Sequence, residues 1–254
     1  MVRDPGRSAL PLEGRAAIVS GASRSIGYAT AIALARDGAH VLLHATSVQH
    51  LHRCQAALLP FGRQVAVCDG DLARPETATR LVDTALMHFG HVDIVVNSAG
   101  ITRDGMLHRL STADWLRVID VNLNGAFYLT RAAAIPMRRQ AYGRIIHLSS
   151  SAYQGNLGQA NYAASKAGMV ALTKTAALEL GRYGVTCNAI CPGVIDTDMT
   201  HALPLDIMEK FIARIPAGRL GLPQELGNFI SLLAREETAY LNGAVIGFDG
   251  GFRL

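Results

Sequence analysis

Tyr162 and Lys166, in Tyr162-Ala163-Ala164-Ser165-Lys166, are the residues whose types and spacing best suit proton chemistry. On a helix, residues four apart share a face, so phenol and ammonium are expected to meet. A free phenol titrates near pH ~10, and a neighbouring ammonium is expected to pull that value toward neutrality. A tyrosine so tuned gives a proton to a carbonyl oxygen or takes one from an alcohol. Most such pairs are surface pairs, so the pattern needs support from its surroundings. The serines Ser149, Ser150 and Ser151 supply it, closing the apolar run 144–148. A serine at the carboxyl end of that strand can hydrogen-bond the same substrate oxygen.

A second constellation lies near the start of the chain. Ser20-Gly21-Ala22-Ser23-Arg24-Ser25-Ile26-Gly27 follows an apolar run and opens a helical pattern. Gly21 permits a tight turn and Gly27 close helix–strand packing. The exposed N–H groups of the next helix, at its positive dipole end, suit a pyrophosphate. Ser25 stands where a middle glycine is usual and is expected to cost little if its φ is negative. Binders of NAD place Asp or Glu at the end of the second strand, where it holds the ribose 2′-OH. The stretch 41–47 has no acid. Arg24, Thr46 and Ser47 can instead meet a 2′-phosphate, which favours NADP(H).

These residues need elements to carry them. Strand patterns run over 16–20, 40–45, 64–67, 92–96, 144–148, 185–190 and 244–248. Most are apolar on successive residues, as strands buried on both faces are. Helical patterns fill 25–37, 47–59, 75–89, 111–139, 161–182, 205–213 and 223–234. Pro75 and Pro223 stand at first-turn positions, each with a following acid, Glu76 and Glu225. Gly38, Gly90 and Gly184 follow helices as C-caps. This alternation implies an α/β fold: one Rossmann-like doubly wound parallel sheet of about seven strands, with helices on both faces. Residues 14–254 form the single catalytic domain in this reading, and 1–13 a loose tail. The ligand is expected outside the carboxyl ends of the strands.

Composition narrows the classes. The 254 residues are 50% apolar and 17% charged, enough for a large core. The net charge of +4 is scattered and aromatics are 6%, which argues against a nucleic-acid stripe. No run of about 18 apolar residues exists, so no membrane span is expected. Cys54, Cys68, Cys187 and Cys191 show no CxxC spacing, and a reducing cytoplasm is the default. His50, His52 and Cys54 cannot share one helix face, so no metal site is expected.

Taken in order, the motifs resemble those of the short-chain dehydrogenase/reductase family over nearly the whole chain. Residues 20–27 stand for TGxxxGxG, and Asn97-Ser98-Ala99-Gly100 for NNAG. Asn122, the serine cluster, Tyr162, Lys166, and Pro192-Gly193 followed by Thr197 complete the set. The resemblance implies Tyr162 as acid/base, Lys166 binding the nicotinamide ribose, a serine polarising the carbonyl and Asn122 holding a water that relays protons to Lys166. It implies cofactor contacts from Gly21, Ser23, Arg24, Ser25, Ile26, Gly27, Thr46, Ser47, Asp71, Leu72, Asn97, Ala99, Gly100, Tyr162, Lys166, Pro192, Gly193, Ile195 and Thr197. Counting along the strand selects Ser150 as the serine; counting back the usual thirteen residues from Tyr162 selects Ser149. Strand register fixes side-chain direction while loops absorb deletions, which favours Ser150.

Within the family, Asn97-Ser98-Ala99-Gly100-Ile101-Thr102-Arg103-Asp104 and the stretches 158–168, 188–200 and 215–220 are similar to reductases of 3-oxoacyl thioesters on acyl carrier protein or CoA. Ala141 and Tyr183 occupy places where carrier-protein reductases usually have a basic residue. Arg138, Arg139 and Arg182 are displaced from them, which is expected to redirect their charge. Other alcohol–ketone pairs, such as polyols or sugar acids, and a non-catalytic nucleotide-binding relative are the alternatives. Specificity is expected to come from 198–215, where Met199, Leu203, Leu205, Met208 and Phe211 suit a lid or an interface. The family implies a homotetramer, and Met169, Val170, Leu172 and Leu178 suit an interface.

Overall fold

The computed structural model describes residues 10–201 and 205–252. Seven parallel strands form one sheet in the order β3-β2-β1-β4-β5-β6-β7. They are β1 (Ala16–Ser20), β2 (His40–Ala45), β3 (Val65–Asp69), β4 (Ile94–Asn97), β5 (Gly143–Leu148), β6 (Val185–Pro192) and β7 (Val245–Phe248). The order reverses between β1 and β4, so the crevice at their carboxyl ends is the place for a ligand.

Both faces of the sheet are covered, which is why its strands read as unbroken apolar runs. Val19, Leu43, Val96 and Ile146 point into one core with α1 (Ser25–Arg36), α2 (Val48–Leu58) and α9 (Pro223–Leu233). Their neighbours Ile18, Leu42, Val95 and Ile145 point into the other. There they meet α3 (Pro75–Phe89), α5 (Gly125–Gln140) and α6 (Ala160–Leu180). Helices α7 (Asp198–His201) and α8 (Leu205–Ala213) lie between β6 and α9 in sequence.

Three expectations change. The helix over 111–139 is interrupted: α4 (Thr112–Ile119) leads into a π-helical turn, Asp120–Asn124, before α5 begins. Such single-turn bulges often mark functional sites, and this one carries Asn122. The tail is shorter than 1–13 among the described residues. Leu12 is buried, with its N–H donated to the Asp37 carbonyl at 2.8 Å, because Leu12 completes the core beside α1. Met169 belongs to the core of α6, whereas Leu178 is 86% exposed. Residues 1–9, Leu203 and the side chains of Met199 and Leu205 fall outside the described residues. Met208 is partly buried, and Phe211 packs on Phe252 with ring centroids 6.3 Å apart.

Candidate active site

The phosphate loop is built by contacts that leave no room for side chains. Gly21 has φ +68°, and a Cβ there would stand 2.8 Å from the Ala99 Cα. A Cβ on Gly27 would stand 2.2 Å from the Gly21 carbonyl oxygen. The loop is tied to its neighbours by Ala22 N–H donating to the His44 carbonyl and by the Cys54 thiol donating to the Ser23 carbonyl. Ser25 departs from the sequence reading: its φ is +49°. A side chain in that region costs about 1 kcal/mol or more, so the serine is a strained substitute for glycine.

Several observations test whether a dinucleotide fits here. Helix α1 has no acidic residue in its first turn and no side-chain cap. Its leading N–H groups are therefore open to an anion. Two buried polar atoms lacking a partner, Nδ1 of His44 and Oδ1 of Asn97, lie toward the carboxyl ends of β2 and β4. Arg24 and Thr46 are exposed, Ser47 is partly exposed, and none of the three uses its side chain in a hydrogen bond among the described residues. The residues fit a nicotinamide dinucleotide.

The remaining predicted contacts ring this crevice with different freedoms. Ser23 and Ile26 are partly exposed in the loop. Asp71 is engaged by Arg117 at 2.8 Å and by the Ala73 N–H at 3.0 Å. These partners hold its carboxyl below the usual range despite partial burial. Leu72 is buried against Gly125. Ser20 Oγ accepts from the N–H groups of Ser98 and Ala99, fixing the turn that leads to Gly100. Pro192 ends β6, and Gly193 faces Asp249 so closely that a Cβ would stand 2.7 Å from it. Ile195 pairs with Gly221 in an isolated bridge, and the Thr197 N–H donates to Thr200 Oγ1 at 2.8 Å.

The reactive residues do converge. Tyr162 and Lys166 stand one turn apart at the start of α6, with Nζ 5.5 Å from the phenol ring centroid. Ser150 acts to lower the phenol, while Ser149 turns away to donate to the Lys166 carbonyl at 3.0 Å. Asn122 accepts from the Ile101 N–H at 2.8 Å and donates to the Ile101 carbonyl at 3.0 Å and to Ser165 Oγ at 3.2 Å. Ser165 in turn donates to the Tyr162 carbonyl at 2.7 Å. A Cβ on Gly100 would lie 3.5 Å from Asn122 Oδ1 and 3.6 Å from Lys166 Nζ. Gly100 thus lies against both side chains.

The electrostatics correct the sequence expectation. Burial raises the Tyr162 phenol, the Ser150 hydrogen bond opposes this, and the Asp104 charge adds to it. Lys166 is itself buried. Its Nζ donates to the Leu148 carbonyl at 2.5 Å, and burial lowers its own value to about 8. Desolvation disfavours the charged form of both groups.

The sequence reading missed what lies behind the site. Asn97 Nδ2 donates to Thr130 Oγ1 (3.2 Å), which pairs with His147 Nε2 (3.0 Å). His147 Nδ1 pairs with Thr173 Oγ1 (2.8 Å), which donates to the Met169 carbonyl. Thr173 spends its proton on Met169, so Nδ1 carries the imidazole proton and His147 is neutral. Burial and the Lys166 charge lower it to about 4. The only signal in the sequence was a histidine within an apolar strand.

The model described as enoyl-(acyl carrier protein) reductase matches residues 21–253. The chain belongs to the short-chain dehydrogenase/reductase family. It is 41% identical over 244 residues to the 3-oxoacyl-[acyl-carrier-protein] reductase FabG of Vibrio cholerae serotype O1, covering 96% of this chain and 99% of that one. It is 40% identical to the Escherichia coli K12 FabG, over 95% and 98% of the two chains. It is 42% identical to the Synechocystis 3-oxoacyl-[acyl-carrier-protein] reductase, over 94% and 97%. A Sinorhizobium meliloti 1021 protein classed among the short-chain alcohol dehydrogenases superposes with a TM-score of 0.93 at 32% identity, covering 96% of this chain and 98% of that one. As a family member, the chain is an oxidoreductase acting on a CH–OH/C=O pair with a nicotinamide cofactor.

Among the described residues no group of three His, Cys, Asp or Glu could hold a metal, and no helix is long and apolar enough to cross a membrane. Arg138 and Arg182, displaced from the usual basic positions, converge on Tyr183. Both donate to Tyr183 Oη, at 2.9 and 2.7 Å, and both lie over its ring, at 4.4 and 4.8 Å from the centroid. A shallow pocket of about 340 Å³ adjoins them.

Proposed function

We propose that the protein is an NADP(H)-dependent reductase of 3-oxoacyl thioesters carried on acyl carrier protein or CoA. The observation that carries this reading is the Tyr162 phenol one helical turn from Lys166 at the start of α6, with Nζ 5.5 Å from its ring centroid and the phenol pushed up by burial. A phenol that stays protonated at neutral pH is a proton donor, and reduction of a carbonyl needs one. The names of the relatives near 40% identity supply the substrate class.

When bound, the reduced nicotinamide supplies the hydride. Tyr162 gives its proton to the substrate oxygen, and Ser150 holds that oxygen by a second hydrogen bond. Lys166, fixed by the Leu148 carbonyl, retains N–H bonds for the ribose and for returning a proton to Tyr162. Asn122 locks the 100–101 turn and Ser165 around them. Its Nδ2 protons and one Oδ1 lone pair are engaged. A relay water would therefore take the other lone pair or the backbone carbonyl. Arg24, Thr46 and Ser47, free of other partners, hold the 2′-phosphate.

The Arg138–Tyr183–Arg182 cluster is the docking surface for the acidic carrier protein. It lies at the far end of α6 from Tyr162, roughly 27 Å along the helix. The apolar side chains exposed on α4, α5 and α6, including Trp115, Leu116, Phe127, Ile135 and Leu178, suit a homotetramer. The four free cysteines fit a reducing, cytoplasmic setting.

The test compares kcat/KM for acetoacetyl carrier protein, acetoacetyl-CoA and a panel of sugar-acid and polyol ketones, with NADPH and NADH. The reading predicts preference for the thioesters and for NADPH. Turnover confined to sugar or polyol ketones, or preference for NADH, would overturn it.

A further inference from the structure

The N-terminus of α6, which presents Tyr162, is clamped by a loop from the other side of the cleft. Gly105 N–H donates to the Gly158 carbonyl at 2.8 Å, and Gly105 and Gln159 form an isolated parallel bridge. Gln159 Nε2 donates to both oxygens of Asp104, at 3.0 and 3.2 Å, while its Oε1 accepts from Asn156 Nδ2 at 2.8 Å. Asn161, fully buried, donates to the carbonyls of Arg103 (2.9 Å) and Asp114 (3.3 Å) and accepts from the Tyr162 N–H at 2.7 Å. Residues 103–105 are therefore stitched, one after another, to 158–161.

The clamp leaves a carboxylate at the mouth of the cleft. The clamp holds the Asp104 carboxylate on Gln159, three residues before Tyr162, and its charge acts to raise the phenol. The adjacent cation is turned elsewhere: Arg103 faces Asp114 at 4.0 Å and donates to the Thr102 carbonyl. Beside the clamp, Met106, Leu107 and Leu157 are exposed, the last two by 79% and 84%. A negative charge set among apolar side chains favours a chain that is uncharged near its reacting carbonyl. It disfavours one with a carboxylate there, because like charges repel.

We propose that Asp104, held by Gln159 at the mouth of the Tyr162 cleft, is a specificity-determining residue that admits ketones uncharged beside the reacting carbonyl and turns away 3-oxo acids. The proposal rests on the carbonyl-reductase reading of the cleft and deepens it by naming the charge class of the substrate. It needs no contact beyond the clamp already described, and it applies equally to thioesters and to simple esters.

The experiment measures NADPH-dependent kcat/KM for three ketones: the acetoacetyl thioester of N-acetylcysteamine, ethyl acetoacetate and acetoacetate. Native protein is compared with Asp104→Asn, which keeps an oxygen for Gln159, and with Gln159→Ala, which frees the carboxylate but retains its charge. The ratio of acetoacetate to neutral-ketone activity is expected to rise about fivefold in Asp104→Asn and to change less than twofold in Gln159→Ala. A purely structural clamp would lower activity on all three ketones and leave the ratio alone. An unchanged ratio in Asp104→Asn, or native protein that reduces acetoacetate as well as its ethyl ester, overturns the proposal. Turnover of ethyl acetoacetate but not of the thioester defeats the thioester reading while the ester-to-acid ratio still decides this one. A protein inactive on all three defeats both.

Discussion

The cofactor half of the cleft and the catalytic half are made of different materials. Around β1, β2 and α1 the site is mostly backbone: glycines at close approach, uncapped N–H groups and side chains without partners. Around β5, β6 and α6 it is a buried web of side-chain hydrogen bonds running through Asn122, Ser165, Ser149 and Lys166. A backbone cradle is set by steric limits, so single-atom additions damage it. A buried web is set by desolvation, so removing one polar atom leaves another unsatisfied.

The largest effect should come from the catalytic half. Tyr162→Phe is expected to lower kcat about a thousandfold while leaving NADPH affinity within threefold, read by turnover and by nucleotide fluorescence. Activity retained in this variant would break the comparison at its centre. In the cofactor half, Gly27→Ala places a Cβ against the Gly21 carbonyl. NADPH affinity should fall about a hundredfold as the loop is forced open, with thermal unfolding followed in parallel; unchanged affinity would show that the cradle is not steric.

Acid sharpens the contrast, since each half buries one neutral histidine. His44 and His147 are both lowered to about 4 from the ordinary 6.5. Between those values the unfolded chain binds protons that the folded chain does not, so stability is lost as pH falls from 6.5 to 4. Each histidine contributes about 3 kcal/mol to that loss. Urea midpoints should fall steeply over this window, and His147→Asn should remove about half of the slope; a flat profile would contradict the burial argument. The smallest effect is expected at Ser25. Relieving its φ of +49° with Ser25→Gly should raise stability by about 1 kcal/mol, seen as a few degrees in Tm.

How much of this was legible depended on what the residues must satisfy. The strand interiors could be read directly, because burial on both faces forces apolar runs such as Ile94-Val95-Val96. The pairing of Tyr162 with Lys166 followed from helical spacing. The break at 120–124 was hidden because a π turn uses ordinary helix formers. The convergence of Arg138 and Arg182 was hidden because Tyr183 rejoins, in space, charges that their positions along the chain separate. The electrostatics of Tyr162 were misread for a different reason. Spacing places two groups together but carries no measure of how much water each has lost, and burial raises the Tyr162 phenol.

That last point is the centre of the account, and one titration addresses it. The phenolate absorbance of the cofactor-free protein is followed against pH for the native chain and for Tyr162→Phe, and the two curves are subtracted. The account predicts that the difference, the titration of Tyr162 alone, rises only above the ordinary tyrosine value of 10.0. A step near neutral pH would contradict it.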